Sequence, residues 1–275
     1  MTDILIWSKN RATQLELCLR SIKAKFKPAH KIIVQYTYDN NEYKKAYDIV
    51  SKKYPNVIFI KEDDFRNTLV KLINTFENEY CMFFTDDDVF VKPVSVKEYE
   101  FLMGVYKSNQ NIHVLSFRMN MSINFCNPAN TAIERPSSFI ESEEYLLWNW
   151  QQPGINRHYC WGYPMAINSH LYPRERIVDQ IKRSDFHNVN SLESRLNGKR
   201  WFDKPLILSF NETKVFNVQN NFVQGSRMKE EHFNQSIKML NDKFLQGYRL
   251  STKNLYGMNP QRAHGAIEYQ FIKNK

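Results

Sequence analysis

The first 85 residues alternate between short apolar runs and longer segments whose apolar positions recur at helical spacing. Four runs predict buried strands, at residues 4–7, 32–34, 57–60 and 80–84. The segments between them predict three helices, whose apolar positions end at Ile22, Val50 and Phe76. Strands and helices repeated in this order favour a parallel sheet with helices on both faces. Ligands of such sheets bind outside the carboxyl ends of the strands.

The remaining residues show a less regular pattern. Strands are predicted at residues 113–117, 165–167, 206–208 and 214–216. Residues 119–165 are rich in Asn, Pro, Ser and Trp, which is typical of long loops, and we expect a loop again at residues 248–275. Residues 228–247 predict an amphipathic helix that ends at Gly247 and carries His232 on its surface. No linker or internal repeat divides the chain, so we expect one α/β domain over residues 1–275.

Composition limits the class of protein. The chain has 275 residues, 42% apolar and 24% charged, and these fractions exclude a disordered chain, a collagen-like repeat and a coiled coil. The low count of 8 glycines disfavours a Gly-rich dinucleotide-binding loop. The net charge of +9 suits an anionic small ligand, a nucleic acid or a membrane surface, without choosing among them.

The cysteines and the amino terminus indicate a cellular location. Cys18, Cys81, Cys126 and Cys160 have no metal-ligand spacing, so we expect reduced cysteines that pack in a reducing compartment. The first apolar run is too short for a signal peptide, and no run has the length of a membrane span. We therefore expect a cytoplasmic protein, with peripheral membrane contact left open by its charge.

The strongest chemical signal is Asp86-Asp87-Asp88, directly after the fourth predicted strand. Adjacent carboxylates repel each other, so a buried triplet needs a cation. Mg²⁺ or Mn²⁺ can fill this role and bridge the carboxylates to a diphosphate. The alternative is a solvated acidic turn that caps the next element. The place of the triplet at a strand end in an α/β half favours the ligand site.

Two segments resemble those of GT-A fold glycosyltransferases, which use nucleotide-sugar donors. The first is the opening strand with Asn10-Arg11 and the following Cys18-Leu19-x-Ser21-Ile22 helix, and the second is an Asp-x-Asp element at residues 86–88. Later segments resemble one branch of that superfamily, at residues 148–150, 162–170, 190–193, 221–224 and 264–268. Where the branch has Asp-Gly-His, this chain has Asn168-Ser169-His170.

The resemblance implies a GT-A-like (Rossmann-like) fold, with a mostly parallel sheet flanked by helices. Residues 1–110 would form a nucleotide-binding half, and residues 111–275 an irregular acceptor-binding half with a C-terminal lid. The implied cofactor is Mn²⁺ or Mg²⁺. Asp88 would be the main metal ligand, Asp86 would hold the metal and the ribose or donor sugar, and Asp87 could do either.

His264 would complete the metal site, because a neutral imidazole suits Mn²⁺. The alternative is that His264 merely precedes a closing edge strand formed by Ile267, Tyr269 and Phe271. Both can hold together, with the strand anchoring the histidine.

Other polar and aromatic residues at the strand ends would bind the donor. The expected nucleotide-sugar-binding residues are Trp7, Ser8, Lys9, Arg11, Tyr36, Asp39, Asp64, Arg66, Asp86 and Asp87. Lys9 and Arg11 would face phosphate or base, with a solvated loop as the alternative. Tyr36, Asp39 and either Asp63 or Asp64 would contact the base, although core packing is an equal alternative for Tyr36. Arg66 would meet the diphosphate.

An acceptor hydroxyl needs a general base, and a carboxylate in a cleft can supply it. Glu193 is the candidate, near a predicted helix start, with a capping-box role as the equal alternative. Among the tryptophans Trp148, Trp150 and Trp161, at least one is expected in the core, and Trp148 and Trp161 are assigned to sugar stacking. His170 is assigned to acceptor binding.

Three other functions compete with sugar transfer. A nucleic-acid-binding protein or metal-dependent nuclease fits the charge, but the lysines form no stripe and no paired acidic nuclease motif stands out. A nucleotidyltransferase needs a Gly-rich phosphate loop, which residues 7–11 lack. A non-catalytic sugar-binding relative would not need the intact acidic triplet. We therefore expect a metal-dependent hexosyl- or pentosyltransferase that acts on a glycan or glycoconjugate hydroxyl and binds no nucleic acid.

Overall fold

The computed structural model describes residues 1–198, 203–221 and 233–273. Its strands are β1 (Thr2–Lys9), β2 (Ala29–Thr37), β3 (Ile58–Lys61), β4 (Tyr80–Thr85), β5 (Asp88–Phe90), β6 (Ile112–Ser116), β7 (Phe125–Cys126), β8 (Thr131–Ala132), β9 (Phe139–Glu141), β10 (Tyr145–Asn149), β11 (His170–Pro173), β12 (Leu206–Phe210), β13 (Val215–Val218), β14 (Tyr248–Leu250), β15 (His264–Gly265) and β16 (Phe271–Lys273). Its helices are α1 (Ala12–Lys25), α2 (Asn41–Lys53), α3 (Phe65–Ile73), α4 (Val96–Ser108), α5 (Arg174–Lys182), α6 (Val189–Gly198) and α7 (Ile237–Leu245). The four strands and three helices predicted for the first 85 residues are all present.

A nine-stranded sheet forms the centre of the described residues, in the order β3-β2-β1-β4-β11-β6-β12-β10-β9. Strands β1 to β4 are parallel to their neighbours within that group, and β12 is parallel to β6. Only β11 and β10 run antiparallel to the strands on both sides. The sheet is thus mostly parallel, which confirms the predicted fold class.

Strand β1 shows why a strand inside this sheet contains a continuous run of apolar residues. Ile4 and Ile6 belong to a core cluster that also contains residues of α1, α2 and α4. Leu5 and Trp7 point the other way and join a second cluster with residues of α3, α5 and α6. Because side chains alternate between the faces of a strand, helices on both faces bury every position of β1 before its last residue, Lys9.

A second, three-stranded sheet lies beside the main one. Strand β13 pairs antiparallel with β5 and parallel with β15, so the acidic triplet and the C-terminal segment meet in one sheet. The predicted C-terminal loop is wrong in part, because Leu255 and Tyr269 are buried in a core cluster and residues 271–273 form β16. Strand β16 pairs with β14 rather than closing the main sheet.

Other elements depart from the sequence pattern. Residues 165–167 form a turn, not a strand, because packing on the second core cluster rather than strand pairing buries Met165 and Ile167. Strands β9 and β10 and the helix α5 were not predicted. Helix α7 covers the later part of the predicted helix, whereas His232 and residues 222–224 lie outside the described residues. No helix in the described part of the chain is long and apolar enough to cross a membrane.

Candidate functional site

A cavity of about 800 Å³ opens at the carboxyl ends of β1, β2, β3 and β4. Trp7, Ser8 and Lys9 from the end of β1 line it, together with Asp86 and Asp87 from the acidic triplet. The opposite wall comes from residues after position 110, among them Arg118, Tyr163, Asn168, Glu193 and His264. The edge of the sheet where the sequence predicted a ligand is therefore concave and polar.

The acidic triplet is buried, and its charge is partly compensated by Arg11. The Arg11 guanidinium lies 3.3 Å from Asp86 Oδ1 and 2.8 Å from Asp87 Oδ2, and all three residues are buried. The expected cation beside the triplet is thus at least in part an arginine of the chain. Arg11 lines the cavity but is committed to carboxylates rather than left free for phosphate or base.

Short polar side chains also donate to the carboxylates of the triplet, and Asp87 and Asp88 share two of them, Thr85 and Asn217. Ser8 Oγ donates to Asp86 Oδ2 at 2.7 Å, and Thr85 Oγ1 donates to Asp87 Oδ1 at 2.7 Å. Asp88 accepts from the Thr85 backbone N–H at 2.7 Å and from Asn217 Nδ2 at 2.9 Å. Asp88 is not among the residues that line the cavity, so its side chain sits behind Asp86 and Asp87.

Burial makes Asp86 and Asp88 hold their protons more tightly than usual. It raises the pKa of Asp86 to about 7, although Arg11 acts in the opposite direction. Burial and the neighbouring Asp87 also raise the pKa of Asp88 above its ordinary range. A cation that entered this cluster would favour the ionised forms.

His264 is brought to the acidic triplet by the three-stranded sheet. Asn217 is in register with Asp88 on one side and with His264 on the other, which places the histidine two strands from the aspartate. Among the described residues, neither ring nitrogen of His264 has a hydrogen-bond partner. Burial lowers the pKa of His264 to about 3, so the imidazole is neutral near pH 7 with a free lone pair.

Glu193 faces the cavity from the second turn of α6. Its carboxylate accepts the Ile167 backbone N–H at 3.1 Å, and burial raises its pKa. The helix start is capped by a different pair, because Ser191 N–H donates to Asn188 Oδ1 at 2.8 Å and Asn188 N–H donates to Ser191 Oγ at 3.0 Å. The capping-box interpretation of Glu193 is therefore wrong, and its side chain is available to the cavity.

Arg118 is a buried cation that the sequence analysis did not single out. It follows β6, is only 5% exposed, and lines the cavity. Its Nη1 donates to the neutral Asn168 Oδ1 at 3.0 Å, and within the described residues it forms no ion pair with a carboxylate. A buried charge without a counter-ion is costly, so this guanidinium is poised to meet an anion.

At the end of the cavity beside β2 and β3, the residues of β2 that line the wall are the neighbours of the predicted Tyr36 along the strand. Gln35 and Thr37 line it, while Tyr36 points to the other face and packs on Tyr47 at 4.7 Å between ring centroids. Gln35 Nε2 donates to Glu62 Oε2 at 2.9 Å. The two-residue period of a strand, applied from Thr37 backwards, would have selected Gln35.

Three predicted donor residues have other partners. Asp64 caps α3, where it accepts the Asn67 N–H at 2.7 Å, and it does not line the cavity. Arg66 donates to Ser184 O and Lys182 O, both at 3.1 Å, and so ties α3 to the end of α5 instead of meeting a diphosphate. Asp39 also lies off the cavity wall, paired with Lys9 at 3.3 Å and with Asn10. Asp63 is exposed and off that wall.

The tryptophans assigned to sugar stacking are core residues. Trp148 Nε1 donates to Trp161 O at 2.9 Å, and Trp161 Nε1 donates to Ile123 O at 3.2 Å. Both are almost fully buried, as is Trp150, and none lines the cavity. His170 is likewise buried within β11 and outside the cavity. The structure does not bring these residues to an acceptor site, because their side chains are buried in the core.

Sequence comparison gives one relative with a described activity. The chain is 32% identical over 195 residues to "Bifunctional glycosyltransferase pgtA" of Dictyostelium discoideum. The match covers 65% of this chain but only 24% of the relative, so the chain spans about a quarter of that protein. No protein-family model matches the chain.

Structure comparison gives the same kind of neighbour at lower sequence identity. The S. aureus protein TarS superposes with a TM-score of 0.51 at 14% identity, over 90% of this chain and 45% of TarS. A shorter form, TarS 1–349 in complex with UDP-GlcNAc, superposes with a TM-score of 0.50 at 13% identity, over 86% of this chain and 61% of that one. These matches establish a shared fold.

Proposed function

We propose that the protein is a glycosyltransferase that moves a sugar from a nucleoside-diphosphate donor to a hydroxyl of a glycan or glycoconjugate. One observation carries the proposal. A single cavity at the carboxyl edge of the sheet holds a paired acidic cluster, the neutral His264, the uncompensated Arg118 and the proton-accepting Glu193. The sequence relative is named as a glycosyltransferase, and one fold neighbour binds UDP-GlcNAc, which supports a donor of this class.

The cavity has two regions with different roles in this proposal, one for the diphosphate and one for the base of the donor. As the sugar leaves, negative charge grows on the diphosphate, and a nearby cation in a buried site stabilises that charge. Arg118 supplies such a cation, since it forms no ion pair with a carboxylate among the described residues and its charge acts on Glu193 only at longer range. Trp7 and Gln35, at the end of β1 and in β2, lie where the base of the donor would bind. In this proposal, the side chains at this end of the cavity determine which base and which sugar the enzyme accepts.

Glu193 performs the proton transfer in this proposal. An acceptor hydroxyl has a pKa far above 7 and attacks well only when a base takes its proton. The raised pKa of Glu193 suits this role, because a carboxylate of ordinary pKa is a weaker base. A general base on the acceptor favours direct displacement, and therefore inversion at the sugar carbon.

The residue types in and beside the triplet are those that ligate a divalent metal ion. Asp86 and Asp88 offer hard oxygen ligands, and His264 offers a neutral imidazole whose two nitrogens are unpartnered among the described residues. In that part of the chain no three such groups already stand close enough to hold an ion. We propose Asp88, Asp86 and His264 as the ligands of Mn²⁺ or Mg²⁺, which would supply further positive charge to the diphosphate.

The test is calorimetric titration of the protein with UDP, GDP and CDP, each with and without Mn²⁺, followed by a hydrolysis screen of nucleotide sugars. We expect one nucleoside diphosphate to bind with metal and the corresponding nucleotide sugar to be hydrolysed. His264→Ala should lower the metal-dependent affinity by a few-fold to about tenfold, with little change in the melting temperature of the free protein. Lack of binding by all three nucleotides would reject the transferase.

A further inference from the structure

Two cysteines of the acceptor half meet in the wall of the cavity. Cys126 ends β7, and Cys160 opens a short 3-10 helix that spans Cys160–Gly162. Both line the cavity, and the Cys160 thiol is a hydrogen-bond partner of Cys126 Sγ. Neither sulfur forms a disulfide. The pair is thus a dithiol at the edge of a space large enough for a small reactant.

Independent contacts hold the two cysteine-bearing segments together. Trp161, next to Cys160, donates its Nε1–H to the Ile123 carbonyl, three residues before Cys126. Trp148 in turn donates to the Trp161 carbonyl and packs edge-on against its ring at 5.1 Å between centroids. The proximity of the two thiols is therefore fixed by buried aromatic packing rather than by the thiols alone.

The surroundings favour a thiolate on Cys126. The Cys160 thiol and the backbone N–H groups of Ala129 and Cys160 donate to its sulfur, and Arg118 adds positive charge. These contacts lower the pKa of Cys126, with the Cys160 hydrogen bond as the largest cause. By contrast, burial raises the pKa of Cys18 and of Cys81, which lie in the core away from the cavity. The hydrogen bond to Cys126 and burial also raise the pKa of Cys160, so Cys126 is the one cysteine of the four with a lowered pKa, and Cys160 is the thiol beside it.

We propose that Cys126 and Cys160 are a redox-active dithiol that low-molecular-weight disulfides oxidise to an intramolecular disulfide. The Cys126 thiolate attacks one sulfur of the small disulfide and releases one small thiolate, which takes up a proton. The Cys160 thiol then loses its proton and attacks the mixed disulfide, forming the Cys126–Cys160 bond and releasing the second small thiol. The protein loses two electrons and two protons, and the small disulfide gains them.

Oxidation would alter the candidate site near His264, because the segment after Cys126 packs on β15. Arg262 Nη1 donates to Asn127 Oδ1 at 3.4 Å, and a Cβ on Gly265 would lie 3.1 Å from Asn127 Nδ2. His264 is the residue before this glycine. Drawing Cys126 towards Cys160 to disulfide distance would move Asn127 relative to Arg262 and Gly265, and so alter the segment that carries His264.

The experiment uses hydroxyethyl disulfide and the full-length protein without nucleotide. We expect the intact mass to fall by two hydrogens, a peptide map to show Cys126 joined to Cys160, and dithiothreitol to reverse both. Cys160→Ser should instead retain a stable mixed disulfide on Cys126, because the second thiol is missing. Cys18→Ser and Cys81→Ser, the matched controls, should oxidise as the wild type does.

Either of two results would overturn the proposal. The first is that Cys126 and Cys160 of the wild type still react with iodoacetamide after oxidant treatment. The second is a crosslink that includes Cys18 or Cys81. A variant that fails to fold is recognised by its melting curve, and the wild-type peptide map decides alone. The mass measurement involves no nucleotide, so it stands or falls separately from the transferase proposal. Nucleotide affinity of the oxidised and reduced forms, compared afterwards, measures the effect on the site, and we expect weaker binding when oxidised.

Discussion

The two halves of the chain build the cavity in different ways. In residues 1–110 the cavity is made by the carboxyl ends of parallel strands, so position along the strand decides which side chain reaches it. In residues 111–275 the main-sheet strands β10 and β11 run against their neighbours, and the cavity residues come from loops, from α6 and from the short strands β7, β13 and β15 outside the main sheet. Strand periodicity identifies site residues in the first half and gives little guidance in the second.

The halves differ equally in how they handle charge. Arg11 is paired with Asp86 and Asp87 within the first half, so the charge of the triplet is partly compensated before any ligand arrives. The Arg118 side chain in the second half donates to the Asn168 amide and forms no ion pair with a carboxylate among the described residues. One wall of the cavity therefore combines carboxylates with a cation of their own, and the other presents a cation without an ion-pair partner.

The largest expected effect comes from Glu193 in the second half. Glu193→Gln should lower the rate of sugar transfer by ~10²–10⁴-fold, because the amide cannot accept the acceptor proton. Donor affinity, measured by calorimetry, should stay at the wild-type value. Glu144→Gln, on an exposed turn, is the matched control and should transfer normally.

A Glu193→Gln enzyme with normal transfer and a lowered melting temperature would assign this residue to folding. The comparison of the halves would then change, since the second half would contribute a binding wall and no base.

Trp148 tests the claim that the tryptophans of the second half are structural. Trp148→Ala should destabilise the protein by about 3–5 kcal/mol, because it empties a buried site that also satisfies the Trp161 carbonyl. Urea unfolding measures this loss. The Michaelis constant for the acceptor, measured on folded protein, should change little, and a large rise in it would restore the sugar-stacking role.

The success of the sequence analysis follows the same division. Trp7, Ser8, Lys9, Arg11, Asp86 and Asp87 all reach the cavity, since strand ends of a parallel sheet converge on one edge. Tyr36 does not, because a one-residue error in strand phase moves a side chain to the other face. Trp148, Trp161 and His170 are assigned from their residue type and from the resembling segments around them, and neither encodes the tertiary packing that buries them.

Arg118 could not be found from its neighbours in sequence. Nothing in residues 117–119 marks a site, and its importance arises only when Asn168, fifty positions later, turns out to be its partner. Asn168 itself stands where the resembling branch has Asp.

Arg118 gives the next largest effect. Arg118→Met should weaken binding of the donor or its nucleoside diphosphate by ~10- to 100-fold, the range expected for a lost charged hydrogen bond. The free protein should not lose stability, because the change removes a buried charge that has no carboxylate partner. Arg135→Met, which removes an exposed arginine, should leave nucleotide affinity unchanged.

Asn168→Asp sharpens the same comparison without removing the arginine. A carboxylate at this position would pair with Arg118 and make the second wall resemble the first. We expect a higher melting temperature for the free protein together with weaker nucleotide binding. Stronger nucleotide binding in Asn168→Asp would show that Arg118 is not the group that meets the anion.

The smallest effect concerns how stability depends on pH, where His113 in the second half and Asp86 in the first should act with opposite sign. Burial lowers the pKa of His113 to about 3, so below pH ~6.5 the unfolded chain binds a proton that the folded one does not. Its contribution to stability is complete above pH ~6.5 and falls by ~1.4 kcal/mol per pH unit as the pH drops towards 3. Asp86, with its raised pKa, favours the folded state as pH falls from 7 towards 4. His113→Gln should reduce the slope of the free energy of unfolding against pH on the acid side, measured by urea unfolding, by this amount. His170→Gln should do the same, because burial also lowers the pKa of His170. An unchanged slope in both variants would mean that these histidines are already charged in the folded protein.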